Sequence, residues 1–256
     1  MSCACASKPR LRLELLRVEQ VHEETFTFEF KSPEPLEWQE GDSSKIYLNV
    51  AGNEQGKKFS FASLPSENVV RFTTRIRKER SDYKDVLSNI DVGENVEVSL
   101  PSGQFKLRRE DRPIVLLSNG VGIAAMRTFI KSYEGDQTGI PSMIQINVDS
   151  KSSIYQTEFS EIEQKLVMFK SIYVKHRSTF INQLDFEVQN IISNRAEPPL
   201  FYVVGSDVFV NDTILHLNAV GIQSEDIVTD GHKSGGTCGC SSDAGCGCGA
   251  NIVMFS

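Results

Sequence analysis

The stretch Ser118-Asn119-Gly120-Val121-Gly122-Ile123-Ala124-Ala125 decides how the second half of this chain is read. It follows the apolar run Ile114-Val115-Leu116-Leu117 and leads into a helix-like pattern from Ala124 to Tyr133. A strand, a turn of the form G-x-G-x-x-A and a helix make the dinucleotide-binding fingerprint. Its glycines let a phosphate approach backbone N–H groups at a helix start. The helix dipole adds to that preference for anions. A plain strand-to-helix turn also needs glycine for its dihedrals, so the turn by itself leaves both readings open. Further along, Met143 to Val148 and Leu200 to Val204 repeat the apolar strand, each after proline, and Ile154 to Leu166 and Asn211 to Val220 repeat the helical pattern. Apolar strands alternating with helices predict a doubly wound parallel sheet with helices on both faces.

Toward the N-terminus the rhythm differs. Thr25-Phe26-Thr27-Phe28-Glu29-Phe30 alternates strictly and puts three phenylalanines on one face of a strand. Leu11 to Val21, Ile46 to Val50, Lys58 to Ala62, Val69 to Arg77 and Asn95 to Leu100 read as further strands. Gly41-Asp42, Gly52-Asn53 and Pro101-Ser102-Gly103 supply turns, and Asp82 to Asn89 is one short helix. The organisation expected is an N-terminal tail (1–9), a β-barrel or sandwich domain (10–108), an α/β domain (109–231) and a Cys/Gly-rich tail (232–256).

The 256 residues carry 27 Lys plus Arg against 34 Asp plus Glu, a net charge of −7. That balance argues against a nucleic-acid binder, which needs a basic footprint. No apolar run approaches the roughly 20 residues of a membrane span, and Met1 to Arg10 has no secretory leader pattern. The cysteines do not staple a core, so a cytoplasmic protein is expected. His22, His176, His216 and His232 form no nucleophile pattern.

A second motif, Lys57-Lys58-Phe59-Ser60-Phe61-Ala62-Ser63, places a cation, an aromatic ring and hydroxyls on one strand and its end. That set suits a flavin: Lys57 for a pyrophosphate, Phe59 for stacking, Ser60 for a hydrogen bond near the reactive ring nitrogen. Read in isolation it is an amphipathic strand first. The two motifs together resemble the ferredoxin–NADP reductase superfamily of flavoproteins. Lys57, Phe59, Ser60 and Ser63 match its R-x-[YF]-S-x-x-S motif, with Lys for Arg. Pro101 to Phe105 resembles its G-P-[YF]-G-x-F segment, and Asn119 to Ala125 its G-G-x-G-I-[AT]-P turn, with Ala125 in place of proline. Val204 to Phe209 aligns with its C-G-P-x-x-M segment but lacks both the cysteine and the methionine.

The resemblance, from about residue 10 to 231, implies a six-stranded antiparallel Greek-key barrel holding FAD and a nucleotide domain holding NADH or NADPH. Gly120, Gly122, Ile123 and Gly205 would serve the nicotinamide nucleotide, and Ser81 and Lys84 the flavin pyrophosphate. The implied chemistry is hydride transfer from nicotinamide to flavin, with electrons passing to an unidentified acceptor, which a protein could be. Ser60 is the expected catalytic residue. Asp149 would repel a 2′-phosphate and accept a ribose hydroxyl, favouring NADH, whereas Lys151 and Arg177 oppose that reading. Asp207 reads as a solvated helix-start carboxylate. The degenerate segment at Gly205 keeps open a non-catalytic flavin- or nucleotide-binding subunit.

The six cysteines fall as C-x-C pairs, Cys3/Cys5, Cys238/Cys240 and Cys246/Cys248. Four thiols within eleven positions can hold zinc, copper(I) or an iron–sulfur centre, making Cys238, Cys240, Cys246 and Cys248 candidate metal ligands. The spacing matches neither the usual structural zinc pattern nor a plant-type ferredoxin. Redox thiols, or a tail with no fixed cofactor, are the alternatives, and a metal-handling protein would use this tail. Phe255 either packs the tail or covers a flavin ring.

Overall fold

The computed structural model describes residues 9–194 and 198–231. Its first half is an antiparallel sheet of six strands: β1 (Arg10–His22), β2 (Thr25–Lys31), β3 (Ser43–Val50), β4 (Asn53–Ser60), β5 (Val70–Arg75) and, after helix α1 (Asp82–Ser88), β6 (Asn95–Ser99). They hydrogen-bond in the order β4-β3-β6-β1-β2-β5. Just beyond β4, the Ala62 N–H donates to the Arg71 carbonyl at the head of β5 (2.8 Å), which brings the two outer edges together into a barrel. The alternation in β2 works as expected: Phe28 and Phe30 fill the barrel core with Leu13, Leu15, Phe59, Phe61 and Phe72, and Phe26 packs against it. Strand β4 begins at Asn53, five residues before the predicted start. Val50 pairs with Asn53 directly across Ala51-Gly52, whose φ values of +49° and +82° make a tight two-residue hairpin. Asn53 to Lys58 are polar and largely exposed, so no apolar alternation announces them.

Gly41 fixes the loop before β3. Its φ is +79°, and a Cβ there would stand 1.6 Å from the Phe105 carbonyl oxygen. Gly41→Ala therefore combines left-handed strain with a backbone clash and should lower the unfolding free energy by about 3 kcal/mol or more. A urea melt showing a loss below about 1 kcal/mol would contradict this.

The second half alternates strands and helices: β7 (Ile114–Asn119), α2 (Ile123–Gly135), β8 (Met143–Val148), α3 (Gln156–Lys165), β9 (Phe169–Val174), α4 (Arg177–Asn194), β10 (Leu200–Val204), α5 (Asp207–Ala219) and β11 (Ile227–Thr229), of which β9, α4 and β11 add to the predicted elements. All five strands are parallel, in the order β11-β10-β7-β8-β9. Helices α2 and α3 cover one face through Met126, Phe129, Ile130, Phe159 and Ile162. Helices α4 and α5 cover the other through Phe180, Leu184, Val188, Phe209 and Leu217. The sheet is thus doubly wound. Helix α5 starts at Asp207, four residues before the predicted start, because the Ser206 hydroxyl accepts the Phe209 N–H and caps it. Among the described residues no helix is long and apolar enough to cross a membrane.

A polar seam joins the halves. Arg127 of α2 is buried. Its guanidinium meets Glu67 of the barrel half (2.9 Å, both nitrogens) and Glu158 of α3 (2.6 and 2.7 Å), and donates to the Ala62 carbonyl (2.6 Å). Beside it, the Tyr155 hydroxyl lies 2.6 Å from Thr73 Oγ1, which is 2.8 Å from Thr27 Oγ1. Thr25, Thr27 and Thr73 are buried polar residues on the face of β2 and β5 opposite the phenylalanines, whereas Thr74, paired with Phe26, lies on the phenylalanine face. Phe105, in the connector, stacks on Phe129 and meets the edge of Tyr202.

Candidate functional site

Five segments from the two halves converge on one cleft of about 520 Å³. The end of β4 contributes Lys57, Lys58, Phe59 and Ser60. From β5 and α1 come Thr74, Arg75, Ser81 and Lys84. The glycine turn and the end of β10 contribute Gly120, Gly122 and Gly205. The strand order explains the meeting. Strands β4 and β5 are the two edges that close the barrel, while β7 and β10 are adjacent at the centre of the parallel sheet. Ligands in such sheets bind beyond the carboxyl ends of the strands, where the winding reverses.

The turn behaves as its glycines require. Gly120 has φ +58°, with the Arg75 guanidinium 3.6 Å from where a Cβ would stand. A Cβ on Gly122 would press on the Val204 carbonyl at 2.8 Å, and one on Gly205 would meet Phe209 at 2.7 Å. Backbone therefore lines this side of the cleft, open to a close-lying ligand.

Electrostatics give the ligand its sign. Lys57, Lys58, Arg75, Arg77 and Lys84 line the cleft, and among the described residues no carboxylate does. Lys84 is the informative one. Its ammonium donates to Thr74 Oγ1 and sits 4.6 Å over the Phe59 ring. No described carboxylate pairs with it, and burial pushes its pKa down to about 8. A desolvated cation facing a positive cleft in a chain of net charge −7 is a site for an anion. The Arg75 Nε is also buried without a partner. A phosphate-bearing cofactor fits these donors.

Ser60 stands at the lip. Its hydroxyl donates to Asp230 Oδ2 (3.1 Å), and Lys58 pairs with the other oxygen. Asp230 follows β11, 170 positions along the chain, and nothing local in the sequence marks it. Arg75 is likewise a finding of the structure: its partner Asp149 is 74 positions away.

Not every expected residue reaches the cleft. Ser63 is buried outside it, where its hydroxyl accepts the Arg71 N–H (3.0 Å) and donates to the Val69 carbonyl (2.6 Å), holding the turn that closes the barrel. Ile123 is wholly buried in the core under α2. Phe59 lines the cleft, but most of its ring is covered by Phe72, Tyr83 and Lys84. Asp149 also lies outside the lining. Its carboxylate accepts from Arg75 (2.6 Å), Ser152 (2.6 Å) and the Lys151 N–H (2.9 Å). Burial by itself would raise that carboxyl, but these hydrogen bonds and the Arg75 charge hold it below the usual carboxylate range. Arg75 thus neutralises the charge on which the argument for NADH rests. The metal candidates Cys238, Cys240, Cys246 and Cys248, together with Cys3, Cys5 and Phe255, lie outside the described residues. Among the described residues no cluster of His, Cys, Asp or Glu could hold a metal.

No family model matches the chain. Over 195 residues it is 22% identical to a flavohemoprotein of Vibrio cholerae, covering 73% of this chain and 49% of that protein. Over 114 residues it is 29% identical to the toluate 1,2-dioxygenase electron transfer component of Pseudomonas putida, covering 44% of this chain and 34% of that protein. The chain therefore spans half or less of the curated relatives described here. Among solved structures it superposes on a ferredoxin NADP+ reductase from Neisseria gonorrhoeae with bound FAD and NADP. The TM-score is 0.73 at 16% identity, over 86% of this chain and 98% of that one. The chain shares the fold of that reductase. The superfamily resemblance drawn from Lys57 to Ser63 and Asn119 to Ala125 thus meets the observed architecture, an antiparallel barrel followed by a doubly wound parallel sheet.

Proposed function

We propose that this chain is an FAD-dependent oxidoreductase that accepts a hydride from NADH or NADPH and passes electrons to a separate acceptor. The observation that carries this reading is the single cleft in which the Lys57–Ser60 strand end and the Gly120–Gly122 turn face one another. FAD, when bound, supplies the hydride-accepting ring and the means of passing electrons on. The protein's part is to bind and orient. Lys84, with Lys57 and Ser81 beside it, offers charge and hydrogen bonds to phosphate. The turn at Gly120 and the N-terminus of α2 offer backbone N–H groups to a second phosphate-bearing nucleotide. Ser60 offers a hydroxyl at the cleft lip, where its hydrogen bond to Asp230 holds it. The names of the relatives, an electron transfer component and a reductase among them, support a protein acceptor over a small substrate. A cytoplasmic setting fits this chemistry.

The test is the purified full chain reconstituted with FAD. A yellow protein whose flavin band bleaches on anaerobic addition of NADH or NADPH supports the proposal, and failure to retain flavin overturns it. Comparing the two nucleotides decides the preference that Asp149 leaves open. Lys84 adds a signed expectation. Because its pKa in the free protein is near 8, the charged form that attracts phosphate is lost as pH rises above that value. FAD affinity should fall by up to tenfold per pH unit there. Lys84→Met should abolish this dependence and weaken binding at pH 7 about tenfold, as titration by fluorescence quenching would show.

A further inference from the structure

Several lysines of this chain hold a carboxylate: Lys58 pairs with Asp230, Lys106 with Asp42, Lys151 with Glu24 and Lys165 with Glu134. Such pairs favour the protonated ammonium, which has no lone pair to react with. Lys84 is placed differently. Its nitrogen bonds Thr74 Oγ1 and lies 4.6 Å over the Phe59 ring, with no carboxylate among its described partners. Sharing the cleft with it are Lys57 of β4, Arg75 and Arg77 at and beyond the end of β5, and Tyr83 of its own helix, whose hydroxyl donates to the Ile46 carbonyl. Asp82 and Asp85 of α1 are exposed, and Asp85 pairs with Arg80 (2.7 Å). Burial thus favours the neutral amine and pushes its pKa down to about 8. One N–H of that amine still satisfies Thr74, which leaves the lone pair free. A desolvated lysine beside other cations is a nucleophile at neutral pH.

We propose that Lys84 is a modification site, an amine that small acyl phosphates acylate when the cleft holds no flavin. The cleft selects the reagent. Its other cations attract a phosphate dianion, the Arg75 Nε is buried without a partner, and the glycine turn opens backbone to a close-lying anion. Those groups hold the phosphate and leave Lys84 to meet the acyl carbon. The nitrogen attacks that carbonyl carbon, an N–C bond forms, and the C–O bond to phosphate breaks. Inorganic phosphate then leaves with one amine proton. The product is a neutral amide, which removes a charge and adds bulk where the FAD pyrophosphate is assigned above. That consequence rests on the oxidoreductase reading; the acylation does not. FAD and acyl phosphates then compete for one amine, and the flavin-free chain alone is modified.

Acetyl phosphate added to the full flavin-free chain tests this, with acetyl-lysine mapped by quantitative peptide mass spectrometry. Lys84 should react at least about tenfold faster than the exposed Lys78 and Lys175. Its rate should rise with pH and level off above about 8, while the exposed lysines go on rising toward about 10. Excess inorganic phosphate should slow Lys84 severalfold and leave Lys78 and Lys175 unchanged. Bound FAD should protect Lys84 about tenfold. Prior treatment with acetyl phosphate should weaken FAD binding about tenfold in the native chain but not in Lys84→Arg, which keeps the charge and is not acylated. Acetylation of Lys84 no faster than that of Lys78 and Lys175, or indifferent to phosphate, overturns the inference whether or not the chain binds flavin. Selective, phosphate-sensitive acetylation in a chain that retains no flavin upholds it and overturns the oxidoreductase reading alone. Selective labelling that bound FAD does not slow overturns the competition.

Discussion

Replacing Arg127 with alanine lowers the unfolding free energy by about 3–5 kcal/mol, the usual cost of removing one member of a buried ion pair. The guanidinium touches Glu67, Glu158 and the Ala62 carbonyl together. Its removal leaves two carboxylates facing a buried seam and a carbonyl without its donor. The same variant changes the response to acid. In the native chain, burial works to raise the Glu67 carboxyl, but the hydrogen bonds and charge of Arg127 overcome it and hold the group below its ordinary range. A depressed carboxyl contributes stability that is complete above the unfolded value and lost as pH falls through the folded one. Native stability should therefore fall as pH drops below about 4.5, and Arg127→Ala should lose less over that interval. Urea melts at pH 7 and pH 4 check both statements. A loss below about 1 kcal/mol at pH 7 would mean that the seam is held by its apolar neighbours, Phe105, Phe129 and Tyr202. A double-mutant cycle with Glu67→Gln should show coupling of about 1–3 kcal/mol.

Ser60→Ala should slow reduction of the bound flavin by nicotinamide about 100-fold, the order expected when a positioned hydroxyl is removed. The change deletes a hydroxyl at the lip of the cleft and leaves the phosphate-side residues Lys57, Ser81 and Lys84 in place. FAD affinity should accordingly change by less than about threefold, a split between rate and binding that a general loss of structure would not produce. Asp230→Asn keeps the volume but removes the charge that holds Ser60 and Lys58. It should also slow the reaction. Stopped-flow reduction reads both. A Ser60→Ala rate within threefold of the native rate would assign Ser60 to anchoring the loop at Asp230 and nothing more.

The sequence made the architecture legible wherever burial imposes a period. The strict alternation at Thr25 to Phe30 and the apolar strands before Gly120 and at Met143 identify the two sheets because one or both faces of those strands are covered. It was silent at β9, an edge strand whose residues after Phe169 are half-buried or exposed, and at the three-residue β11. Helix α4 did carry a signal: Phe180, Leu184, Val188 and Ile191 recur at helical spacing. The candidate site divides the same way. Lys57, Phe59, Ser60, Gly120, Gly122 and Gly205 line the cleft because each sits at a strand end or turn with a local pattern. Arg75 and Asp230 owe their places to partners 74 and 170 positions away, set by how the barrel closes against the sheet. No window of sequence contains that information. The same closure explains Asp149, whose charge is visible in the sequence and whose neutralisation is not.

The threonines of β2 and β5 have a consequence for how this chain can be taken apart. Thr25, Thr27 and Thr73 would be an ordinary solvent face on a free barrel, but here they are buried, with Tyr155 reaching Thr73 and Arg127 threaded between Ala62 and Glu67. The charged connector near residue 108 thus marks where strands give way to alternating strands and helices. It does not mark a seam along which the molecule can be cut. A barrel severed there would expose a strip of half-satisfied carboxylates and hydroxyls, and grafting a foreign nucleotide half onto it would mean matching each of those partners. The two halves are therefore expected to unfold together, as one piece.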